Sequence, residues 1–309
     1  MVLVMRTLSF LLLFLASEVR TCLGEDPWSF IVLADPHSFE QFAYTTASDE
    51  LYQEQYTANV IAIKHIKDTY GGDFVMIPGD TNSGVWYTKD FARKMGNPSL
   101  SAKEVIARAS KGCYGTLRKN FEDAGYAQPP MVAIGDHEIG GNPWRNGVRT
   151  TSLQDFREGF QKELNRYENG NFMYTDPIGS VPSRPIGTIY ENTSYARKYK
   201  NVLFVTVDCF HTMGYGFIDR ENGLGGEGTV NISVEGEHLS WVERVLIAGQ
   251  NDPSIKHVIV QAHVPIVQSV RKVRCSGQFF DRGEESKYFY AARNIWFEER
   301  NSNFISNLI

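Results

Sequence analysis

Five short apolar runs punctuate the chain: WSFIVLAD (28 to 35), DFVMIPGD (73 to 80), MVAIGD (131 to 136), NVLFVTVD (201 to 208) and HVIVQAH (257 to 263). Each is continuously apolar or alternates with period two, is rich in β-branched residues and closes on Asp or His, which predicts a strand. Between the runs the period changes to that of a helix. Tyr52, Tyr56, Val60, Ile63 and Ile66 fall at helical spacing, Ser101 and Glu104 form a capping box ahead of a helix over 102–124, and segments 152–168 and 236–249 read the same way. Strands alternating with helices predict an α/β layered fold with largely parallel strands.

Two stretches break the alternation. Residues 169–200 contain Pro177, Pro182 and Pro185 followed by the polar run ENTSYARKYK, which predicts a loop and then an antiparallel hairpin closing one side of the sheet. The glycine-dense ENGLGGEGT (221 to 229) reads as a mobile surface loop. It lacks the strand-to-helix context in which glycines cradle a phosphate.

Composition narrows the class. The 309 residues are 42% hydrophobic and 22% charged, enough apolar material for a substantial core. The net charge of −5 carries no clustered Lys and Arg, so nucleic acid is not an expected partner. At the N-terminus, Arg6 precedes the apolar run 7–16, and small residues at Cys22 and Gly24 precede a cleavage point, so residues 1–24 read as a signal peptide and 25–309 as the mature domain. The run is about half of the ~20 apolar residues that a membrane-spanning helix requires, which favours secretion over stable membrane insertion. A secreted chain makes two sequons meaningful, at Asn192 and Asn231, each expected on an exposed loop. Cys113, Cys209 and Cys275 remain after cleavage, permitting one disulfide and one spare thiol.

The strand ends carry the candidate chemistry. In order they are ADPH with Asp35 and His37, PGDTNSG with Asp80, IGDHE with Asp136 and His137, and QAHVP with His263. Ends of neighbouring parallel strands converge on one rim, so three carboxylates and three imidazoles are expected in one crevice. Left alone, the carboxylates repel one another and retain protons. A pair of divalent cations relieves that crowding, and oxygen plus imidazole donors suit zinc, manganese or iron.

The order D-x-H, G-D, G-D-H-E and H-x-P, each behind a strand, resembles the calcineurin-like metallophosphoesterase family over residues 28 to 266. The resemblance implies a layered sandwich of mixed β-sheets flanked by helices, and hydrolysis of a phosphate ester by metal-activated water at a dinuclear centre. Residue by residue it implies that Asp35 and His37 bind one metal, Asp80 bridges both, Asp136 and His263 bind the second, and His137 stabilises the transition state and protonates the leaving group. Asp136 stands where the family pattern has Asn, which keeps an oxygen donor and adds a negative charge. The family's final G-H-x-H motif has no counterpart after His263, so the chain is expected to be a truncated gene model, splice form or fragment. Ser83 stands where the purple acid phosphatase branch has a tyrosine ligand, which disfavours that branch. A nuclease or phosphodiesterase of the same fold is one alternative, and a catalytically impaired secreted binding glycoprotein is another.

Other ionisable residues fit structural roles. Glu138 is expected to orient a neighbour or cap the next segment, and Asp208 to act structurally near the site. His65, His257 and His238 are expected at the surface or core edge, and His211 in a loop, where it is a weak substitute ligand. Trp144 and Arg145 either face substrate or pack a loop.

Overall fold

The computed structural model describes residues 28–140, 152–210 and 234–264. Among these residues six strands form two three-stranded sheets. In the first, β1 (Phe30–Val32), β2 (Phe74–Ile77) and β3 (Met131–Val132) run parallel in that order. In the second, β4 (Tyr195–Tyr199) pairs antiparallel with β5 (Val202–Thr206), which pairs parallel with β6 (His257–Gln261). Among the same residues five α-helices accompany them: α1 (Glu50–Tyr70), α2 (Lys89–Lys94), α3 (Ala102–Asp123), α4 (Leu153–Leu164) and α5 (Gly236–Asn251).

Period-two alternation explains the layering. Phe74 and Met76 of β2 and Met131 of β3 point toward Tyr195, Val202 and Phe204, making an aromatic core between the sheets. Phe74 sits at its centre, 5.7 Å from the ring of Phe30, 5.2 Å from Tyr199 and 5.1 Å from Phe204, in stacked and edge-on arrangements. The alternate residues Val75, Ile77 and Val132 belong to a larger core with Val105, Ile106 and Leu117 of α3 and Phe156 and Phe160 of α4. Leu203 and Val205 of β5 join that core alongside Trp241, Val242 and Val245 of α5. The order is therefore helices, sheet, sheet, helix.

Local signals account for the helix ends. The capping box at the start of α3 is formed, with Ser101 Oγ accepting from the Glu104 amide and the Glu104 carboxylate accepting from the Ser101 amide at 2.9 Å. In α1 the predicted stripe is the inward face, with Ile63 buried and Tyr52, Tyr56, Val60 and Ile66 half-buried. Helix α4 stops at Leu164, short of the expected 168, because Arg166 turns away to bridge Phe172. Helix α2 was not anticipated; the Thr88 hydroxyl caps it by accepting from the Phe91 amide at 3.2 Å.

The strands are shorter than their apolar runs. The last residues of the first three runs leave the ladder and form the loops that carry Asp35, Asp80 and Asp136. The predicted hairpin is made by β4, from within the polar run, with β5. Its two-residue connection places Lys200 at a φ of 50°.

Six further positions differ from expectation or complete it. Asn192 is half-buried in the turn before β4, its amide oxygen accepting from Arg184 Nη1 at 3.1 Å, and so does not stand on an exposed loop. His238 is buried against the Tyr190 ring at 4.2 Å, its Nε2 3.0 Å from Ser194 Oγ, and burial pushes its pKa down to about 4. His65 and His257 are exposed. Cys113 and Cys209 are buried free thiols, so neither makes the disulfide that the cysteine count permits. The expected signal segment, Asn231, Cys275, His211, Trp144, Arg145, the expected 221–229 loop and the tail lie outside the described residues.

Candidate metal centre

The loops leaving β1, β2 and β3 meet at one rim, where backbone hydrogen bonds continue past the ladder. The His37 amide donates to the Asp80 carbonyl at 3.0 Å, the Phe39 amide to the Thr81 carbonyl at 3.2 Å, and the Ala133 amide to the Ile77 carbonyl at 2.8 Å. Asp35, His37 and Asp80 take φ values of 45°, 42° and 57°, a left-handed conformation that costs a non-glycine residue energy and persists only where the surroundings impose it. Two glycines permit the close approach. A Cβ on Gly135 would lie 2.2 Å from Asp80 Oδ1, and one on Gly79 would lie 2.7 Å from the Gly135 amide nitrogen and 2.9 Å from His263 Nδ1.

All six predicted residues stand at this rim. The buried Asp80 carboxylate is the centre: its Oδ2 lies 3.6 Å from His37 Nε2, 3.9 Å from His137 Nε2 and 3.4 Å from His263 Nε2. Each of these rings is fixed from behind. His37 Nδ1 is 3.1 Å from the Asn82 carbonyl, His137 Nδ1 3.0 Å from the Ser83 carbonyl, and His263 Nδ1 3.0 Å from the Pro78 carbonyl. A carbonyl only accepts, so each Nδ1 carries a proton, and it is Nε2 that faces the centre, free to bind a cation once its own proton has left.

Among the described residues, two groups have donor atoms close enough to hold a cation. One is His37, Asp80 and His137, and the other is Asp35, Asp80 and His263. Asp80 is common to both. The remaining partition differs from the one that the sequence suggested: His37 gathers with His137 rather than with Asp35, because the turn at 137–139 folds His137 back until the two rings are 4.8 Å apart, edge to face. Asp136 stands beside the second group, its Oδ1 3.1 Å from His263 Nε2.

Charge crowding is visible in the protonation equilibria. Burial, then the neighbouring Glu138 carboxylate, pushes the pKa of Asp80 up to about 7. Burial alone would lower His263, but its hydrogen bond to Asp136 and the Asp80 carboxylate outweigh that and raise it to about 9. His137 is raised too, the Ser83 carbonyl and the carboxylates overcoming the effect of burial. For Asp136 burial works upward, and the His263 hydrogen bond overrides it and lowers the value.

A pH dependence follows. Asp80, His137 and His263 all bind protons more tightly in the folded chain, so the stability they contribute is lost as pH rises, through about 7 for Asp80 and about 9 for His263. A cation replaces those protons, and the replacement becomes easier as they leave. The increment in melting temperature given by excess Mn2+ or Zn2+ is therefore expected to grow between about pH 6 and about pH 8.5. An increment that is flat or shrinks over that range contradicts cation binding at this rim.

Sequence reasoning passed over two residues that build the site. Glu40 accepts from the Ser83 amide at 3.0 Å and from Trp86 Nε1 at 3.2 Å, holding the loop whose carbonyl orients His137. Asn82 orients His37 through its carbonyl. Neither had a usable sequence signal, since Glu40 and Asn82 are ordinary polar residues in turns. Further back, Arg157 of α4 and Asp208 at the exit of β5 form a buried ion pair, Nε to Oδ2 at 2.8 Å. Arg157 Nη2 also donates to the Phe210 carbonyl at 2.6 Å, and the Phe210 ring lies 6.2 Å from that of His263.

No protein-family model matches this chain, and no curated protein matches its sequence.

Proposed function

We propose that this protein is a metal-dependent phosphoesterase with a dinuclear centre, hydrolysing a phosphate ester directly by water. One observation carries the reading: three imidazoles, each with Nδ1 turned to a backbone carbonyl, aim Nε2 at one buried carboxylate. Carboxylates with imidazole nitrogens are a donor set that suits zinc, manganese or iron, and the third imidazole is left for proton transfer. The helix–sheet–sheet–helix layering, with the donors on loops at one rim of the sheets, also supports the metallophosphoesterase-like fold implied by the sequence resemblance.

Asp80 and His37 would hold one cation, and Asp35, Asp80 and His263 the other, with Asp136 adding charge beside His263. When bound, such cations polarise phosphoryl oxygens and lower the pKa of water. We assign proton donation to His137. Its Nε2 is the farthest of the three from Asp80 Oδ2, and the Ser83 carbonyl and nearby carboxylates raise its affinity for a proton, so it is placed to pass one to the departing oxygen. The left-handed backbone at Asp35, His37 and Asp80 holds these donors in place before substrate arrives.

The substrate is proposed to be a phosphate ester other than nucleic acid, in keeping with the unclustered basic residues. Arg6, the apolar run 7–16 and the small residues before position 25 support secretion. Among the described residues no helix is long and apolar enough to cross a membrane.

The test is hydrolysis of p-nitrophenyl phosphate and bis-p-nitrophenyl phosphate by the chelator-treated protein, with Mn2+, Zn2+ or Fe2+ added back. Metal-restored turnover supports the reading, and the preferred substrate separates monoesterase from diesterase. A folded protein that binds the ions yet turns over neither ester, or binds none, contradicts it.

A further inference from the structure

Glu138 follows His137 in the chain but turns away from the centre and is fully buried. Its carboxylate accepts five hydrogen bonds. Oε2 takes the amides of Asp80 at 2.7 Å and Gly135 at 2.8 Å, while Oε1 takes the Thr81 amide and the Thr81 hydroxyl at 2.8 Å each and Asn82 Nδ2 at 3.1 Å. Every partner is a neutral donor, and both oxygens meet at least one backbone N–H. Only an acceptor-only group satisfies both sides; an amide would set its own N–H2 against a backbone N–H.

The two ends of this clamp matter to the centre. Asp80 carries the shared carboxylate on a left-handed backbone, and its Oδ1 accepts from the His137 amide at 3.2 Å, which leaves Oδ2 facing the three imidazoles. Asn82 supplies the carbonyl behind His37. The pair formed by His263 and Asp136 is anchored elsewhere, on the Pro78 carbonyl.

Building on the metal-centre reading, we infer that Glu138 is a positioning residue: by binding the amides of Asp80 and Thr81 to that of Gly135, it sets the direction of the bridging carboxylate and of His37. The carboxylate touches no reacting atom, so its removal acts through Asp80. Loss of such an orienting partner typically weakens cation binding by about 10–100-fold.

The experiment is a calorimetric titration of the full chain with Mn2+, run on wild type, Glu138→Gln and Leu246→Ala, with melting temperatures measured alongside. Leu246 lies in the core away from the rim and serves as a control for general destabilisation. The inference expects Glu138→Gln to bind Mn2+ at least tenfold more weakly than wild type, on the scale of about 10–100-fold, while Leu246→Ala binds as wild type does. Wild-type affinity and stoichiometry in Glu138→Gln overturn the inference and leave the metal centre intact. Equal weakening in both variants, in step with their melting temperatures, reduces Glu138 to a structural residue. No binding by wild type removes the metal centre and the inference together. If Glu138→Gln fails to fold, Thr81→Val decides: it deletes one of the five donors, and a weakened affinity at unchanged melting temperature supports the clamp, whereas unchanged affinity overturns it.

Discussion

An Asp80→Asn protein is expected to lose metal binding at both donor groups and to hydrolyse phosphate esters at the background rate, while remaining folded. Asp80 is the only residue common to the two groups, and its Oδ2 is the point on which three imidazole nitrogens converge. Losing the cations forfeits several kcal/mol of charge stabilisation in the transition state, a fall in rate of about a thousandfold or more. The fold is expected to tolerate the change because the ionised form of Asp80 is itself disfavoured: its folded pKa of about 7 means that charge at this position lowers stability at neutral pH and above. The measurements are metal content after dialysis, turnover, and melting temperature without added metal near pH 8. Retained metal at wild-type stoichiometry would sink the bridging role. A collapse of the metal-free melting temperature would show that Asp80 supports the fold rather than loads it.

The second large effect concerns stability. Arg157→Ala removes one partner of a pair in which both side chains are almost wholly buried. Asp208 keeps the Thr193 hydroxyl at 2.7 Å and the Phe210 amide at 3.1 Å, but loses the only cation that its carboxylate meets among the described residues. Stranding a buried charge in this way costs about 3–5 kcal/mol. For a protein of this size that is a fall in melting temperature on the order of 10 °C. Replacing both partners, as Arg157→Met with Asp208→Asn, is expected to recover much of the loss, because neither side chain then carries a charge that burial penalises. Calorimetric or fluorescence melts decide it; a double variant no more stable than Arg157→Ala would show that the damage comes from lost packing around the guanidinium stem.

Much of the scaffold was legible in the sequence because it depends on local periodicity. The β2 run alternates Phe74 and Met76 against Val75 and Ile77, and the structure sends those pairs to opposite faces. The capping box of α3 needs only two residues three apart. β4 was harder to place, since Arg197 and Lys198 make its sequence look like surface, although Tyr195 and Tyr199 alternate onto the aromatic core. His238, expected at the surface or core edge, is buried deeper than that because its burial depends on Tyr190, which belongs to a distant turn.

The candidate site divides in the same way. Its six members were readable because each closes an apolar run or follows within two residues of one, and strand ends converge whatever the loops do. Their grouping was not readable. It depends on the three-residue turn that carries His137 back toward His37, and on carbonyls of Pro78, Asn82 and Ser83 that have no side-chain signature. The pair of Arg157 and Asp208, 51 positions apart, leaves no local trace at all.

The left-handed backbone at Asp35, His37 and Asp80 has a kinetic consequence. These loops are already zipped together by amide-to-carbonyl bonds, so a cation arriving at the rim would find its donors in position and wait for no segment to rearrange. Its rate of capture would then be governed by diffusion, by release of the protons it replaces and by how readily the ion sheds its own water, which ranks fast-exchanging Mn2+ and Zn2+ ahead of the reluctantly dehydrating Mg2+.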